Sequence, residues 1–485
     1  MQREAWAMVV LGIVGLAGPA GAGEPNPAKT DWFAARKYGV FVHYLHGLQN
    51  NPEHVASLGR QTSWDECVRQ FDAEKFAARM EEAGAGYVIF TMMQRARFLI
   101  APNATFDRLT GYKPGEACAT RDLVEDLHRA LDKRGIALML YWTGDGPCDD
   151  PKAAAALRWP GDGKVTDEFV RRWAAVVREY GERYKDKVKG FWTDGCYRFI
   201  GYDEGKLGIL AEGLRAGYPG RIIALNPGVE DRVRPYSRHE DFTTGEQNSF
   251  ADLPRQRFVD GRQWHLLSYL GTGWAQPGTS KTKRDLVDYV HAVSALGGVV
   301  SLDVVLYRDG DLDRSQLETL KALRPGLAGK TGELDAWRLG KAVPPRNKAW
   351  RKPSFLMNVD GKYQLGPSVG EVHAARHGVD GDPKTCAVAG GEFAWAYEVN
   401  LLGDEPLRRI VITFGPGYAT QLDVLASLDG RTWQRLGALS EQKGGRLELS
   451  FPPTTARILR VRALKPDGPG QPGVQMAIAE LEAYE

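Results

Sequence analysis

Cysteine is scarce in this sequence, and its spacing excludes two classes of protein. The 485 residues contain five cysteines, and no two of them form a C-x-x-C pair. This pattern excludes a zinc site of the usual spacing and a small scaffold held by many disulfides. Pairing of Cys118 with Cys148 stays open, because sequence does not settle connectivity in an oxidising compartment.

An excess of charge of either sign is also missing. Lys plus Arg number 63 and Asp plus Glu number 61, which gives a net charge of +2 at pH 7. Proteins that bind nucleic acid neutralise phosphates with a concentrated positive surface. We therefore expect no nucleic-acid partner.

Long apolar runs are absent after the N-terminus. A membrane-spanning helix needs about 20 apolar residues, and no stretch beyond residue 22 approaches that length. The first 22 residues have the pattern of an export signal, because Arg3 precedes an apolar run and Ala20-Gly21-Ala22 matches a small-x-small cleavage site. We therefore predict a signal peptide at 1–22 and a secreted or periplasmic protein without a membrane span.

Short apolar runs alternate with helical patterns from about residue 30 to residue 328. The runs are YGVFVHY, YVIFTMM, ALMLYW, KGFWTDG, RIIALN, HLLSYL and VVSLDVV. This alternation predicts a parallel sheet with right-handed crossovers, and the number of units favours a closed (β/α)8-type barrel at 30–328. No G-x-G-x-x-G follows a strand, which disfavours a dinucleotide-binding fold.

The pattern then changes to short β-type runs separated by turn residues. A Pro-rich, basic stretch at 329–352 is predicted to be a linker. Residues 353–485 are predicted to form an all-β sandwich of jelly-roll type. The predicted fold class is therefore α/β, a (β/α)8-type barrel followed by an all-β sandwich.

The active site of such a barrel lies at the carboxyl ends of its strands. Asp194 ends the fourth strand pattern, directly before Gly195. A retaining glycosidase needs one carboxylate as nucleophile and a second carboxyl group, kept protonated, as acid/base. Asp194 is the candidate nucleophile. Glu246 is the candidate acid/base, with Glu240 and Asp241 as alternatives.

Other polar and aromatic residues near strand ends are candidates for a sugar pocket, because flat aromatic faces suit sugar rings. The candidate substrate-binding residues are His43, Tyr44, Gln94, Arg95, Trp142 and Trp192. No metal site is predicted among them.

These motifs resemble those of the α-L-fucosidases of glycoside hydrolase family 29. The family's strand K-F-G-I-F-I-H-W corresponds to KYGVFVHY at 37–44, and its W-x-D-G nucleophile motif corresponds to WTDG at 192–195. Its T-P-E-Q stretch corresponds to TGEQ at 244–247. The resemblance implies a retaining glycoside hydrolase that acts on an oligosaccharide or glycoconjugate, with Asp194 as nucleophile.

The sequence departs from the family where the sugar hydroxyls are bound. Gln94 and Arg95 stand where the family has two adjacent histidines. Arg95 and Arg97 would suit a sulfated or carboxylated sugar, or they pair with surface carboxylates. Two functions are therefore considered: an exported hydrolase with altered specificity for modified or anionic sugars, and a non-catalytic glycan-binding protein built on a decayed fucosidase barrel.

The C-terminal sequence resembles discoidin-type carbohydrate-binding modules in its motifs LDVLASLDGRTWQRL, ARILRVRA and IAELEAYE. This resemblance implies glycan binding and a structural Ca²⁺ held by carbonyl and carboxylate oxygens. Asp380 and Asp382, in a D-G-D turn, are the candidate ligands. No other cofactor is expected.

Overall fold

The structure is a computed structural model that describes seven ranges of the chain. These ranges are 27–230, 232–250, 252–329, 347–358, 375–388, 395–465 and 476–485. The predicted export signal at 1–22 lies outside them, and so does most of the predicted linker at 329–352. Within the described ranges, no helix has both the length and the apolar character needed to cross a membrane.

A parallel sheet is the centre of the first unit. The strands of this unit are β1 (Tyr38–Val42), β2 (Tyr87–Thr91), β3 (Ala137–Thr143), β4 (Val188–Asp194), β5 (Ile222–Leu225), β6 (Phe258–Val259), β7 (Arg262–Gln263), β8 (His265–Tyr269) and β9 (Val299–Val304). Strands β6 and β7 form a short antiparallel pair. The other seven form one sheet in the order β5-β4-β3-β2-β1-β9-β8, in which every neighbouring pair is parallel.

The sheet closes between β5 and β8 through an irregular segment at 241–247. On one side, the main-chain N–H of Asp241 donates to the carbonyl oxygen of Ile223 on β5 over 2.8 Å. On the other side, Leu267 on β8 donates to the carbonyl oxygen of Gly245 over 3.0 Å. The predicted barrel class is thus confirmed, with seven regular strands and one irregular segment in place of an eighth.

Glycine is required in the middle of this closing segment. Gly245 has a φ of +56°, a backbone conformation that residues other than glycine rarely adopt. A Cβ atom at this position would also overlap the carbonyl oxygen of His265. The close approach of the two main chains sets the position of the next residue, Glu246.

Helices cover the outside of the barrel. They are α1 (Asp31–Arg36), α2 (His46–Gln49), α3 (Trp64–Arg69), α4 (Ala73–Ala83), α5 (Ala104–Thr110), α6 (Leu123–Asp132), α7 (Pro151–Leu157), α8 (Asp167–Tyr184), α9 (Glu204–Arg215), α10 (Lys283–Ser294), α11 (Arg314–Leu320) and α12 (Leu323–Ala328). Side-chain oxygens cap the N-termini of several of these helices. Asp72, for example, accepts a hydrogen bond from the main-chain N–H of Lys75 at the start of α4. Short 3-10 turns lie at Pro27–Thr30, Val55–Ser57, Lys185–Lys187, Arg198–Ile200 and Arg376–Val379.

Side chains of the parallel strands alternate between two cores, as the period of two dictates. One set fills the barrel and includes Phe41, Tyr87, Tyr141, Trp192 and Leu267. The other set packs against the helices and includes Val40, Val42, Tyr44, Phe90 and Trp142. Which of these two cores a strand-end residue joins decides whether it can reach the active site.

The second unit is antiparallel and has its own core. Its strands are β10 (Ser354–Met357), β11 (Ala396–Phe414), β12 (Gln421–Ser427), β13 (Gln434–Leu439), β14 (Arg446–Lys465) and β15 (Ile478–Tyr484). They pair in the order β10-β11-β14-β12-β13, and β15 also pairs with β11. The register of β11 shifts between Asn400 and Glu405, where a long strand can bend. The predicted all-β sandwich is confirmed.

All five cysteines are unpaired. The Cys118 thiol is buried, and that of Cys148 lies 3.9 Å from a carboxylate oxygen of Asp145. The pairing that the sequence left open is therefore not formed.

Candidate active site

Four hydrogen bonds hold the carboxylate of Asp194 at the end of β4. Its Oδ1 accepts from the main-chain N–H of Gly195 (2.8 Å), the hydroxyl of Tyr197 (2.9 Å) and Nδ2 of Asn226 (2.9 Å). Its Oδ2 accepts from the hydroxyl of Tyr141 over 2.8 Å. These donors fix the orientation of the carboxylate, which a nucleophile requires.

A single amide nitrogen joins Asp194 to a second carboxylate. Nδ2 of Asn226 donates to Asp194 Oδ1 over 2.9 Å and to Glu246 Oε2 over 2.6 Å. The two oxygens are therefore no farther apart than the sum of these distances, about 5.5 Å. Retaining glycosidases hold their two carboxyl groups about 5–5.5 Å apart, whereas inverting enzymes need about 6.5–9.5 Å. The spacing fits retention.

Glu246 has the protonation behaviour of an acid/base. Burial raises the pKa of its carboxyl group, and the negative charge of Asp194 raises it further, while the hydrogen bond from Asn226 opposes both. A carboxyl group that stays protonated beside an ionised one can deliver a proton to a leaving oxygen.

The two alternatives to Glu246 have other roles. Glu240 accepts hydrogen bonds from the main-chain N–H groups of Leu225, Tyr236 and Ser237, and burial raises its pKa to about 8. Asp241 forms ion pairs with Lys29 at 3.0 Å and Arg215 at 2.8 Å. Of the three candidates, Glu246 is the one that shares a hydrogen-bond donor with Asp194.

His43 lies at the same end of the barrel. Its Nδ1 is 2.8 Å from Oδ1 of Asp303, at the end of β9, and its side chain is 12% exposed. The ring also lies edge-on to Trp274, with centroids 6.2 Å apart. This arrangement fixes the imidazole through Nδ1 and leaves Nε2 as the nitrogen that can contact a sugar hydroxyl.

Gln94 acts on Asp194 through Tyr141. Its Nε2 donates to the hydroxyl oxygen of Tyr141 over 2.9 Å, and that hydroxyl donates to Asp194. Burial, together with the charge of Asp194, raises the pKa of Tyr141 well above its usual value, so the phenol stays a neutral donor. The one hydroxyl proton of Tyr141 is thus donated to the carboxylate of Asp194.

Tyr44 and Trp142, which the sequence predicts in the pocket, lie instead in the core between the strands and the helices. Both are fully buried on the helix-facing side of their strands. The Tyr44 hydroxyl donates to the carbonyl oxygen of Cys67 over 3.1 Å, and Trp142 stacks on Trp173 with centroids 4.4 Å apart. Alternation along the strand explains the error, because each lies one residue away from a neighbour on the barrel side.

Trp192 lies beneath the site rather than in its wall. Its side chain is buried, it stacks on Tyr141 with centroids 5.7 Å apart, and its indole N–H donates to the carbonyl oxygen of Thr244 over 3.1 Å. It therefore supports both Tyr141 and the segment that carries Glu246.

Arg95 and Arg97 both form ion pairs with aspartates of this protein. Arg95 bonds to both carboxylate oxygens of Asp149, at 3.0 and 2.8 Å, and to Asp145 at 2.7 Å. Arg97 bonds to Asp150 at 2.8 Å. The expectation that Arg95 binds an anionic sugar is not supported by this geometry, because its guanidinium is already engaged. Of the two alternatives, pairing with carboxylates is the one observed.

Asp145 is a third carboxylate close to the site that sequence reasoning missed. It is 4% exposed, and burial together with the charge of Asp194 raises its pKa to about 6, against the opposing effect of Arg95. Tyr141, Tyr197 and the bridging role of Asn226 were missed as well. Tyr141 could have been found from the alternation of its strand, because Met139 and Tyr141, two residues apart on β3, both face the inside of the barrel.

Loss of the Tyr141 hydroxyl is expected to slow catalysis. A hydrogen bond to a charged group contributes about 1.5–3 kcal/mol, so Tyr141→Phe should lower kcat about 10- to 100-fold on an aryl glycoside. Tyr44→Phe is the matched control, because it removes a hydroxyl from the other face of the barrel wall and should leave kcat unchanged. Equal kcat values for the two variants would remove Tyr141 from the site.

Most of the barrel sequence matches a known protein family. A family model described as alpha-L-fucosidase matches residues 50–325, which is more than half of the chain. The chain belongs to the α-L-fucosidase family. It is therefore a fucosidase-like glycoside hydrolase, as the resemblance of its motifs implied. No curated protein matches the chain.

Three solved structures similar to this member of the α-L-fucosidase family illustrate the likeness, each at low sequence identity. A glycoside hydrolase family 29 fucosidase of Ruminococcus gnavus, solved with fucose, is 14% identical, with 97% of this chain and 98% of that chain covered and a TM-score of 0.41. The α-L-fucosidase AlfC is 18% identical over 62% of this chain and 98% of its own, with a TM-score of 0.45. A chitosan-binding module of Paenibacillus sp. IK-5 is 21% identical over 29% of this chain and 98% of its own, with a TM-score of 0.24.

The D-G-D turn of the sandwich lies at 380–382, where the sequence predicts a Ca²⁺ site. Among the described residues, no three His, Cys, Asp or Glu side chains are arranged around one metal position. Asp380 nevertheless lies beside Glu480, which accepts from the N–H of Gly381 and has a buried Oε1 without a hydrogen-bond partner. Burial, with a contribution from Asp380, raises the pKa of Glu480 to about 7. Both carboxylate oxygens of Asp380 already accept hydrogen bonds, from His377, Thr385 and the N–H of Asp382, so a cation at this turn would displace donors there and meet the unpartnered Oε1 of Glu480. Asp382, the other predicted ligand, is exposed and accepts from the N–H of Lys384.

We propose that this turn holds one structural Ca²⁺ through Asp380 and Glu480. At millimolar Ca²⁺ the unfolding temperature of the sandwich should rise by about 5 °C over that in a chelator. The rise should shrink as the pH falls below about 7, because protonation of Glu480 competes with the cation. Glu480→Gln should abolish the rise and Glu448→Gln should keep it in scanning calorimetry. A rise in Glu480→Gln equal to that of the parent protein would contradict the site.

Proposed function

We propose that the protein is an exported, retaining glycoside hydrolase of α-L-fucosidase type with altered recognition of the sugar hydroxyls. The observation that carries the reaction type is the Asp194–Glu246 pair, whose oxygens are joined by one amide nitrogen of Asn226. A non-catalytic glycan-binding protein would not need this pair, and its geometry therefore supports hydrolysis over that alternative.

The reaction proceeds in two displacements. Asp194 attacks the anomeric carbon, and the glycosidic bond breaks as Glu246 gives its proton to the leaving oxygen. Glu246 then removes a proton from water, which attacks the anomeric carbon and releases Asp194. The donors Tyr141 and Tyr197 hold the nucleophile in place through both steps.

Altered specificity is proposed for the hydroxyl contacts and not for an anionic group. Gln94 stands where the resemblance implies a histidine, and its amide nitrogen is bonded to Tyr141. Arg95 has its charge shared between Asp145 and Asp149. A neutral, fucose-like sugar with a changed hydroxyl pattern therefore suits the site better than a sulfated one.

Product stereochemistry and a substrate panel test this proposal together. Time-resolved proton NMR of aryl α-glycoside hydrolysis should show the α anomer of the sugar first, before mutarotation. Neutral fucoside-like substrates should be hydrolysed faster than their sulfated analogues. A β anomer as first product would overturn retention, and preference for the sulfated substrates would overturn the proposed specificity.

Export is proposed from residues 1–22. The mature protein recovered outside the cytoplasm should begin near Gly23 when its N-terminus is sequenced. A full-length protein retained in the cytoplasm would contradict this proposal.

A further inference from the structure

The segment that follows the nucleophile runs from the active site to the boundary between the barrel and the sandwich. Tyr197, three residues after Asp194, donates its hydroxyl to Asp194 Oδ1 over 2.9 Å. The next residue, Arg198, begins the 3-10 turn Arg198–Ile200. Arg198 as a whole residue is 8% exposed.

The carboxylate that Arg198 contacts belongs to the other unit. Nη2 of Arg198 donates to Oε1 of Glu398, on β11 of the sandwich, over 2.9 Å. Nη1 of Arg198 donates to the carbonyl oxygen of Tyr202 over 3.0 Å, at the far end of the same segment. Oε2 of Glu398 accepts from Arg460 on β14. One buried carboxylate of the sandwich thus joins its own sheet to the segment behind the nucleophile.

Glu398 is held in its charged form. It is 3% exposed, and burial alone would favour the neutral acid, but Arg198 and Arg460 keep its pKa below the usual value. Two arginines that converge on one buried carboxylate fix its position closely. Loss of that charge would leave both guanidinium groups uncompensated in a buried place.

A second set of contacts holds the start of the segment and the helix after it. The hydroxyl of Tyr236 donates to the carbonyl oxygen of Cys196 over 2.9 Å, and the Tyr236 ring lies edge-on to Phe355 of the sandwich, with centroids 6.1 Å apart. Nδ2 of Asn400, on β11, donates to Glu204 of α9 over 2.7 Å. The sandwich therefore contacts the segment and the helix that follows it.

We propose that the sandwich positions the catalytic machinery of the barrel: Glu398 holds Arg198, and through it sets the place of the Tyr197 hydroxyl on Asp194. Glu398 and Arg198 are positioning residues, because neither contacts the reacting atoms. This inference rests on the proposed function of Asp194, and it assigns the sandwich a role in turnover separate from glycan binding.

The test compares Glu398→Gln with a matched control in the same sheet. Asp423 is a fully buried carboxylate that pairs with Arg462 at 2.6 Å within the sandwich. On a small aryl glycoside, Glu398→Gln should lower kcat about tenfold with little change in KM, since small displacements at a catalytic group carry costs of this size. Asp423→Asn should lower the unfolding temperature but leave kcat of the folded protein unchanged.

Coupling to Tyr197 separates positioning from a general loss of stability. If Glu398 acts through Tyr197, the double variant Glu398→Gln/Tyr197→Phe should be no slower than Tyr197→Phe alone. Independent losses that multiply in the double variant would overturn the proposal. So would a Glu398→Gln kcat equal to that of the parent, or a tenfold loss in Asp423→Asn.

Hydrogen exchange gives a readout that does not depend on turnover. Amides of residues 197–202 should exchange at least about tenfold faster in Glu398→Gln than in the parent and stay unchanged in Asp423→Asn. Unchanged exchange in Glu398→Gln would overturn the inference. A parent protein that hydrolyses no glycoside would instead overturn the proposed function, and the exchange rates would still decide whether Glu398 holds this segment.

Discussion

Asp194→Gly is expected to lower kcat on an aryl α-glycoside by about 10⁴-fold or more, because it removes the group that forms the covalent intermediate. Azide should restore much of the turnover, since a small anion can occupy the space that the carboxylate leaves. It would attack the anomeric carbon from that face while Glu246 still protonates the leaving oxygen. The product should be a glycosyl azide of inverted, β configuration, which NMR identifies.

Asp241→Asn is the control for this experiment. Asp241 is another aspartate near a strand end, but it is ion-paired with Lys29 and Arg215. Its variant should keep kcat within a few-fold of the parent and should not respond to azide. Parent-like turnover in Asp194→Gly, or rescue that gives the α azide, would exclude Asp194 as the nucleophile.

Glu246→Gln is expected to separate substrates by their leaving groups. A sugar leaving group needs a proton, and loss of a general acid costs about 10²- to 10⁴-fold. A 2,4-dinitrophenolate needs none, so the burst of this product in the first turnover should persist while steady turnover falls. Stopped-flow absorbance measures the burst and the steady rate in one trace.

The pH profile provides the second measurement on Glu246. Activity requires its protonated form, and burial and Asp194 raise its pKa. In the parent protein, kcat/KM should therefore stay constant up to neutral pH. It should fall as the pH rises through the pKa of Glu246. Glu246→Gln should lose this alkaline limb and Glu240→Gln should keep it. An alkaline limb that persists in Glu246→Gln would assign the acid to another group.

A regular strand pattern made the position of Asp194 in the fold predictable. The W-x-D-G motif follows an apolar strand pattern, and a parallel strand of this kind ends at the catalytic edge of the barrel. The same reasoning did not separate Glu246 from Glu240 and Asp241, because the closing segment at 241–247 is irregular and has no fixed period. Its conformation depends on contacts with β5 and β8, which the local sequence does not contain.

Other errors came from treating every strand-end residue as equal. His43 and Tyr141 face the barrel, whereas Tyr44 and Trp142, one residue further along each strand, face the helices. The alternation of side chains along a strand would have assigned one residue of each pair to the barrel interior and the other to the helix side. The partner of Arg95 could not be found in this way, because Asp145 lies 50 residues away and meets it only in the folded protein.

A natural substitution of Gly245 would be easy to misinterpret, because this residue has no catalytic group of its own. A side chain at position 245 would press the closing segment away from β8. The functional group nearest to this displacement is the carboxyl group of Glu246. Such a substitution would be recorded as a loss-of-function allele although every candidate catalytic side chain is intact. Screens that score only changes of functional groups would miss such an allele.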